Sequence, residues 1–201
     1  KKHGYAYYYD ILGKVRVREL YEADLLVTRI RYDKDGKFTE EERVDRKFYG
    51  NGVLWEEVEV KNGFKDGKLS SFYESGFLRQ EMTYNKDILT GWVYRYHENG
   101  VLQEELELLN GKAHGSVKTY YPSGLLLSNA VYDGGQKNGI MLVYEEDGSL
   151  KFRATYKDDL LNGEYRGFHK NGLTRVIENY YEGNLSGKQE LFLEDGMLWR
   201  E

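Results

Sequence analysis

Residues 78–100 read LRQEMTYNKDILTGWVYRYHENG. Leu78, Gln80, Met82 and Tyr84 alternate with Arg79, Glu81 and Thr83, the period-2 pattern of a strand with one buried face. Asn85 to Gly91 carries turn chemistry that ends on glycine. Trp92 to Tyr96 reads as a second strand. His97-Glu98-Asn99-Gly100 reads as the next turn, with Asn-Gly placed for left-handed backbone angles. The unit is two antiparallel strands and two turns.

The same unit recurs along the chain. One glycine series falls at Gly52, Gly76, Gly100, Gly124, Gly148, Gly172 and Gly196, and a second at Gly67, Gly91, Gly115, Gly139, Gly163 and Gly187. Every step is 24 residues. An aromatic sits four residues before each first-series glycine, from Phe48 to Phe192, and a leucine follows two residues after all but one, where Thr174 stands. Residues 52–201 therefore form six regular units. Residues 1–51 continue the pattern imperfectly. Thr28 stands where a second-series glycine is due, Gly36 arrives one residue early, and Gly36 to Gly52 is only 16 residues. Terminal repeats are often atypical, so residues 1–201 read as a single repeat domain with degenerate first units.

With short turns and no helical stretch, consecutive strands pair as a meander. The expected fold is all-β: an elongated, twisted antiparallel meander of tandem 24-residue β-hairpin repeats, on the order of 70–80 Å long at two strand spacings per unit. Pairing Tyr96 with Leu102 across one turn, and Tyr84 with Trp92 across the other, puts Leu78, Met82, Tyr84, Trp92, Tyr94, Tyr96 and Leu102 on one face. The 19 tyrosines and 23 glycines suit this plan, since tyrosine covers a half-wet sheet face and glycine supplies the turns.

Composition narrows the function. The net charge is −5 and there is no cysteine. The acidic balance argues against nucleic acid, and no apolar run approaches the roughly 20 residues of a membrane-spanning helix. The chain opens on Lys1-Lys2-His3 rather than Met, the form of a truncated or mature chain, which leaves the cytoplasm and export as a lipoprotein both open.

The glycine–leucine–tyrosine pattern resembles the MORN repeat variant units of bacterial proteins, and among them the YwqK-like family of toxin–antitoxin antitoxins. The stretches that carry the resemblance are Gly91 to Gly100 and Gly115 to Gly124. It covers residues 52–201 and, loosely, 1–51. It implies a non-enzymatic scaffold or protein-interaction module with no catalytic residues and no cofactor, whose partner is another protein.

His97 and His169 share one turn register three units apart, and His114 lies in the other turn class; solvated turn histidines account for them. Glu98, Glu146, Asp147, Glu194 and Asp195 form a charged edge, Glu40-Glu41-Glu42 is an acidic run in the shortened unit, and Asp33-Lys34-Asp35-Gly36 reads as a plain turn. No pair stands out for carboxylate catalysis, so a hydrolase is the remote alternative, and a surface protein binding a peptide or glycan a nearer one. The binding candidates are Trp92, Tyr94, Ile140 and Leu142, apolar where sister units are polar. Ordinary core packing is the competing reading.

Overall fold

The computed structural model describes residues 1–201, with eighteen β-strands and no helix. The chain divides into two compact units, Lys1–Thr90 and Gly91–Glu201. Unit 1 holds β1 (Gly4–Tyr9), β2 (Val15–Glu22), β3 (Leu25–Tyr32), β4 (Phe38–Phe48), β5 (Leu54–Lys61), β6 (Phe64–Phe72) and β7 (Leu78–Asn85). The boundary falls within β8 (Ile88–Tyr96). Unit 2 continues with β9 (Leu102–Leu109), β10 (Lys112–Tyr120), β11 (Leu126–Asp133), β12 (Gln136–Tyr144), β13 (Leu150–Lys157), β14 (Leu160–Phe168) and β15 (Thr174–Tyr181). It ends in three short strands, β16 (Asn184–Leu185), β17 (Glu190–Phe192) and β18 (Leu198–Arg200). Within each unit consecutive strands pair antiparallel; β16 and β17 both pair with β15, as two pieces of one interrupted strand.

Two turn classes alternate. At the first, Gly100 N donates to His97 O (2.9 Å) and His97 N to Val101 O (2.8 Å), with Gly100 at φ +83°. This is a three-residue loop closed by a left-handed glycine. Asn99 Oδ1 also accepts from Val101 N at 3.1 Å. The second class is a two-residue turn with both central residues at positive φ: Asn110-Gly111 (+52°, +76°), Asp158-Asp159 (+51°, +65°), Lys86-Asp87 (+47°, +65°). That is the mirror-image turn whose twist matches the flanking strands.

The second class corrects the expected element bounds. The turn is only Lys86-Asp87, and the strand that follows begins at Ile88, four residues before Trp92. The second-series glycine is therefore inside the strand. In a sister unit Val58 pairs with Leu69 and Val60 with Lys65, so Asp66, Gly67 and Lys68 lie opposite Glu59 alone. Gly67 sits at φ +124° in this bulge, and a Cβ there would lie 2.0 Å from Glu59 Oε2. Gly139 and Gly163 repeat the arrangement, at φ +130° and +116°.

The bulge also overturns the expected face. Sister positions of Tyr84 pair three residues before the Trp92 register, as Tyr132 with Lys137 and Tyr156 with Leu161. On β8, Val93 pairs with Leu106, whereas Trp92 pairs with Glu107 and Tyr94 with Glu105. Trp92 and Tyr94 thus leave the face on which they were expected, and Val93 takes it with 1% exposure. The Tyr96–Leu102 pair is as expected. The buried face carries Leu108, Val117, Ala130 and Ala154 in unit 2, and Val58, Val60 and Leu69, with Met82 and Tyr84 against them, in unit 1. The opposite side is the open face.

Successive repeats are laced at both edges. Tyr49 Oη donates to Phe72 O (2.8 Å) and Tyr121 Oη to Tyr144 O (2.9 Å), and His97 and His169 place Nε2 2.9 Å from Tyr120 O and Phe192 O. Both histidines are half-buried replacements for tyrosine in this lacing, not free turn residues. At the other edge Asp159 N donates to Lys137 O (3.1 Å), and its carboxylate accepts from Lys137 N (2.8 Å).

The 16-residue unit has a simple origin. β4 follows a Gly36 turn, as a first strand does, and precedes a Gly52 turn, as a second strand does. Two strands are fused into one of 11 residues. Omitting one strand from an antiparallel order exchanges both edges and both faces of the repeat. Where regular units bury Val58 against Leu69, the N-terminal unit pairs Glu19 with Arg29. That side continues through Arg29–Glu42 and Arg31–Glu40 to Lys61, on the open face of the regular repeats. An ion ladder runs along it: Glu19–Arg29 2.7 Å, Arg29–Glu42 3.3 Å, Arg31–Glu42 3.5 Å, Arg31–Glu40 3.2 Å and Lys61–Glu40 2.7 Å. Glu40 and Glu42 are therefore paired mid-strand residues rather than a free acidic run. Asp33 forms the plain turn, its Oδ1 accepting from Asp35 N and Lys37 N at 2.9 Å.

Candidate functional site

The open face of unit 2 collects the four residues singled out by their departure from the repeat. Trp92 is 45% exposed and Ile140 49% exposed, while Tyr94 and Leu142 are half-buried. The Trp92 and Tyr94 rings stand nearly parallel, with centroids 6.0 Å apart and planes 13° apart. This follows from spacing, because residues i and i+2 of a strand share a face. Ile140 and Leu142 make the same i, i+2 pair on β12. Four strand spacings, about 19 Å, separate the two pairs, so they are two contact points rather than one patch.

Between them the face is polar and partly neutralised. Glu105, opposite Tyr94, receives Lys118 Nζ at 2.7 Å and the Tyr120 hydroxyl at 2.9 Å. The Lys118 hydrogen bond, aided by that hydroxyl, outweighs partial burial and holds the Glu105 carboxyl below the usual carboxylate range. Ser116 Oγ bonds Asn129 Oδ1 at 2.6 Å. Glu107, opposite Trp92, is exposed and joins no ion pair. His114 follows Glu107 on β10 and lies 3.3 Å from the exposed Asp133.

Paired-carboxylate chemistry needs one carboxyl kept protonated. The carboxylates displaced from their ordinary range, Asp10, Glu19, Glu40, Glu105 and Asp147, are all displaced downward. Asp147 and Asp195, members of the expected charged edge, cap their own turns by accepting from Ser149 N and Met197 N at 2.9 Å. No group of three or more His, Asp or Glu side chains is placed to hold a metal ion. No helix is long and apolar enough to cross a membrane.

Sequence reasoning found the aromatic pair but missed its acidic neighbours. Glu105 and Glu107 lie opposite Trp92 and Tyr94 only in the observed register. The usable signal was the two-residue turn before Ile88, which would have placed Val93 inward.

The MORN repeat variant profile matches residues 65–86, 89–110 and 137–158, about a third of the chain. Each match spans one second strand, the first-series glycine turn and the next first strand, as in β6–β7, β8–β9 and β12–β13. No curated protein matches the chain. In three of its hairpins the chain is similar to MORN repeat variants.

Proposed function

We propose that the protein is a non-enzymatic interaction module that engages a protein partner through the open face of unit 2, with Trp92 and Tyr94 as the principal anchor and Ile140 and Leu142 as a second. One observation carries this reading. At the register of Trp92, the other regular repeats place Lys68, Ser116, Glu164 and Lys188, yet the two exceptions among these six, Trp92 and Ile140, remain about half exposed. A large side chain that the fold leaves wet, where lysine or serine serves elsewhere, has no packing reason to be apolar. Exposed aromatics on a rigid sheet are the residues that dominate protein interfaces.

The antitoxin role implied by the YwqK-like resemblance is one form of this reading, with a toxin as the partner. Its support is the resemblance over Gly91–Gly100 and Gly115–Gly124 alone.

Affinity capture from the source organism tests the reading. The intact chain is compared with a Trp92→Lys/Ile140→Lys double variant and a turn-tip control, Lys170→Ser. A discrete protein held by the intact chain and the control, and lost with the double variant, supports it. Identical captures for all three overturn it.

A further inference from the structure

We infer that the Trp92–Tyr94 platform takes the guanidinium of an arginine from a basic segment of the partner, with Glu107 as its counter-ion. The inference rests on the proposed function and names the chemistry that the anchor recognises.

The chain contains its own template for the contact. Gly4 pairs with Tyr21, Tyr5 with Leu20 and Tyr7 with Arg18. These pairs repeat Gly91 with Leu108, Trp92 with Glu107 and Tyr94 with Glu105. Tyr5 and Tyr7 therefore occupy the registers of Trp92 and Tyr94, and their ring centroids are 6.1 Å apart, close to the 6.0 Å of the second pair. In the first platform a cation covers a ring: Arg18, across the strand from Tyr7, places its guanidinium 5.5 Å from the Tyr5 ring centroid. In the second, glutamates stand at both cross-strand positions and no cation lies over either ring. The repeat thus presents one aromatic pair with its arginine built in, and one with carboxylates where the arginine's scaffold would be.

Charge and ring type agree. Unit 2 has 12 Lys and Arg against 17 Asp and Glu, a balance of −5, whereas residues 1–90 have 17 of each and balance to zero. The whole acidic surplus of the chain is on the unit that carries the open platform. Glu105 is already occupied by Lys118, but Glu107 is free beside Trp92. Tryptophan is the strongest of the aromatic rings for cations. A planar guanidinium can stack on the ring while donating two hydrogen bonds to a carboxylate, which an ammonium cannot do in the same plane. A neutral glycan would leave the acidic surplus unused, and a phosphate-bearing ligand would be repelled by it.

Fluorescence anisotropy on the full chain tests this with labelled hexapeptides of alternating Gly and Arg, Gly and Lys, or Gly and citrulline. The arginine peptide is expected to bind at least threefold more tightly than the lysine peptide, with no measurable binding of the citrulline peptide. Trp92→Leu and Glu107→Gln, both at exposed sites, should each weaken the arginine peptide at least fivefold. Equal binding of the arginine and lysine peptides, indifferent to Trp92→Leu, overturns the inference in favour of diffuse attraction. Absence of arginine-peptide binding at millimolar concentration overturns it too, as does tryptophan quenching by chitohexaose without an arginine-peptide response. If Trp92→Lys/Ile140→Lys abolishes partner capture while the arginine peptide fails to bind, the inference falls and the interaction reading stands. If capture ignores the double variant, the interaction reading itself falls.

Discussion

Replacing Val93 by alanine and, separately, Trp92 by lysine asks which of two adjacent residues the fold depends on. Val93 is 1% exposed. Its truncation forfeits two buried carbon groups, about 1.6 kcal/mol of transfer free energy. The void left, on the order of 50 Å³ and partly closed by relaxation, adds about 1 kcal/mol. The expected loss is about 2–3 kcal/mol. Trp92 is larger, but it stands on the open face, and Lys68 fills the same register in a sister repeat. A lysine stem keeps part of the apolar cover, so Trp92→Lys should cost about 1 kcal/mol or less. Urea titration followed by far-ultraviolet circular dichroism reads both. With a slope of about 2 kcal/mol per molar, Val93→Ala lowers the midpoint of unit 2 by roughly 1 M and Trp92→Lys by less than half of that. A larger loss for Trp92→Lys would mean that Trp92, not Val93, is the side chain the fold buries.

Other outcomes follow from the same geometry. Glu19 is 4% exposed and accepts from Tyr8 Oη (2.8 Å), Tyr21 Oη (2.9 Å) and Arg29 Nε (2.7 Å). Burial pushes its carboxyl up, but the three donors outweigh burial and hold it below its ordinary value of 4.5. A depressed folded value contributes stability that is present above 4.5 and lost as pH falls through the folded value. Glu19→Gln should therefore cost unit 1 about 1.5–3 kcal/mol at neutral pH, and its urea midpoint should converge on that of the parent below pH 4.5; a gap independent of pH would contradict this. Gly67→Ala and Gly139→Ala place a Cβ 2.0 Å from Glu59 Oε2 and 3.1 Å from Val131 Cβ at positive φ, and should each cost about 2–4 kcal/mol in thermal melts. Gly115→Asn, at φ +75° with nothing near the added Cβ, should cost under about 1 kcal/mol. His97→Tyr should be nearly neutral because tyrosine makes the same lacing bond at Tyr121, whereas His97→Phe leaves the Tyr120 carbonyl without it and should cost about 1 kcal/mol.

The repeat, the antiparallel pairing and the glycine turns were legible in the sequence because each rests on a rule local to a few residues. Asn-Gly pairs and period-2 alternation state their own structure. The facing of the second strand was not legible by the same means. The turn before Ile88 is Lys86-Asp87, without the Asn-Gly signature that marks its sister turns at Asn62-Gly63 and Asn110-Gly111, so it did not announce itself from its own stretch. Gly91 then looked like the end of that turn rather than a bulge inside a strand. A bulge is set by pairing between strands, which no single stretch encodes, and it decided whether Trp92 or Val93 turned inward. The shortened unit hid its meaning for a similar reason. Thr28 is explained by a narrower bulge: Leu20 pairs with Thr28 and Tyr21 with Leu26, so only Val27 is extra and no glycine is needed. The ion ladder through Glu40 and Glu42 becomes intelligible only when β4 is recognised as two strands fused, with the faces of the repeat exchanged across it.

On the proposed function, the open face of unit 2 at Trp92 receives a protein partner. A photoreactive phenylalanine derivative at position 114, which follows Trp92 and Glu107 across the strands, addresses it directly, with position 170 at a turn tip as the comparison. One discrete adduct is expected from position 114 in extracts of the source organism, none of the same size from position 170, and loss of the adduct when Trp92→Lys is added. An adduct from position 114 that survives Trp92→Lys, or one that forms only from position 170, would contradict it.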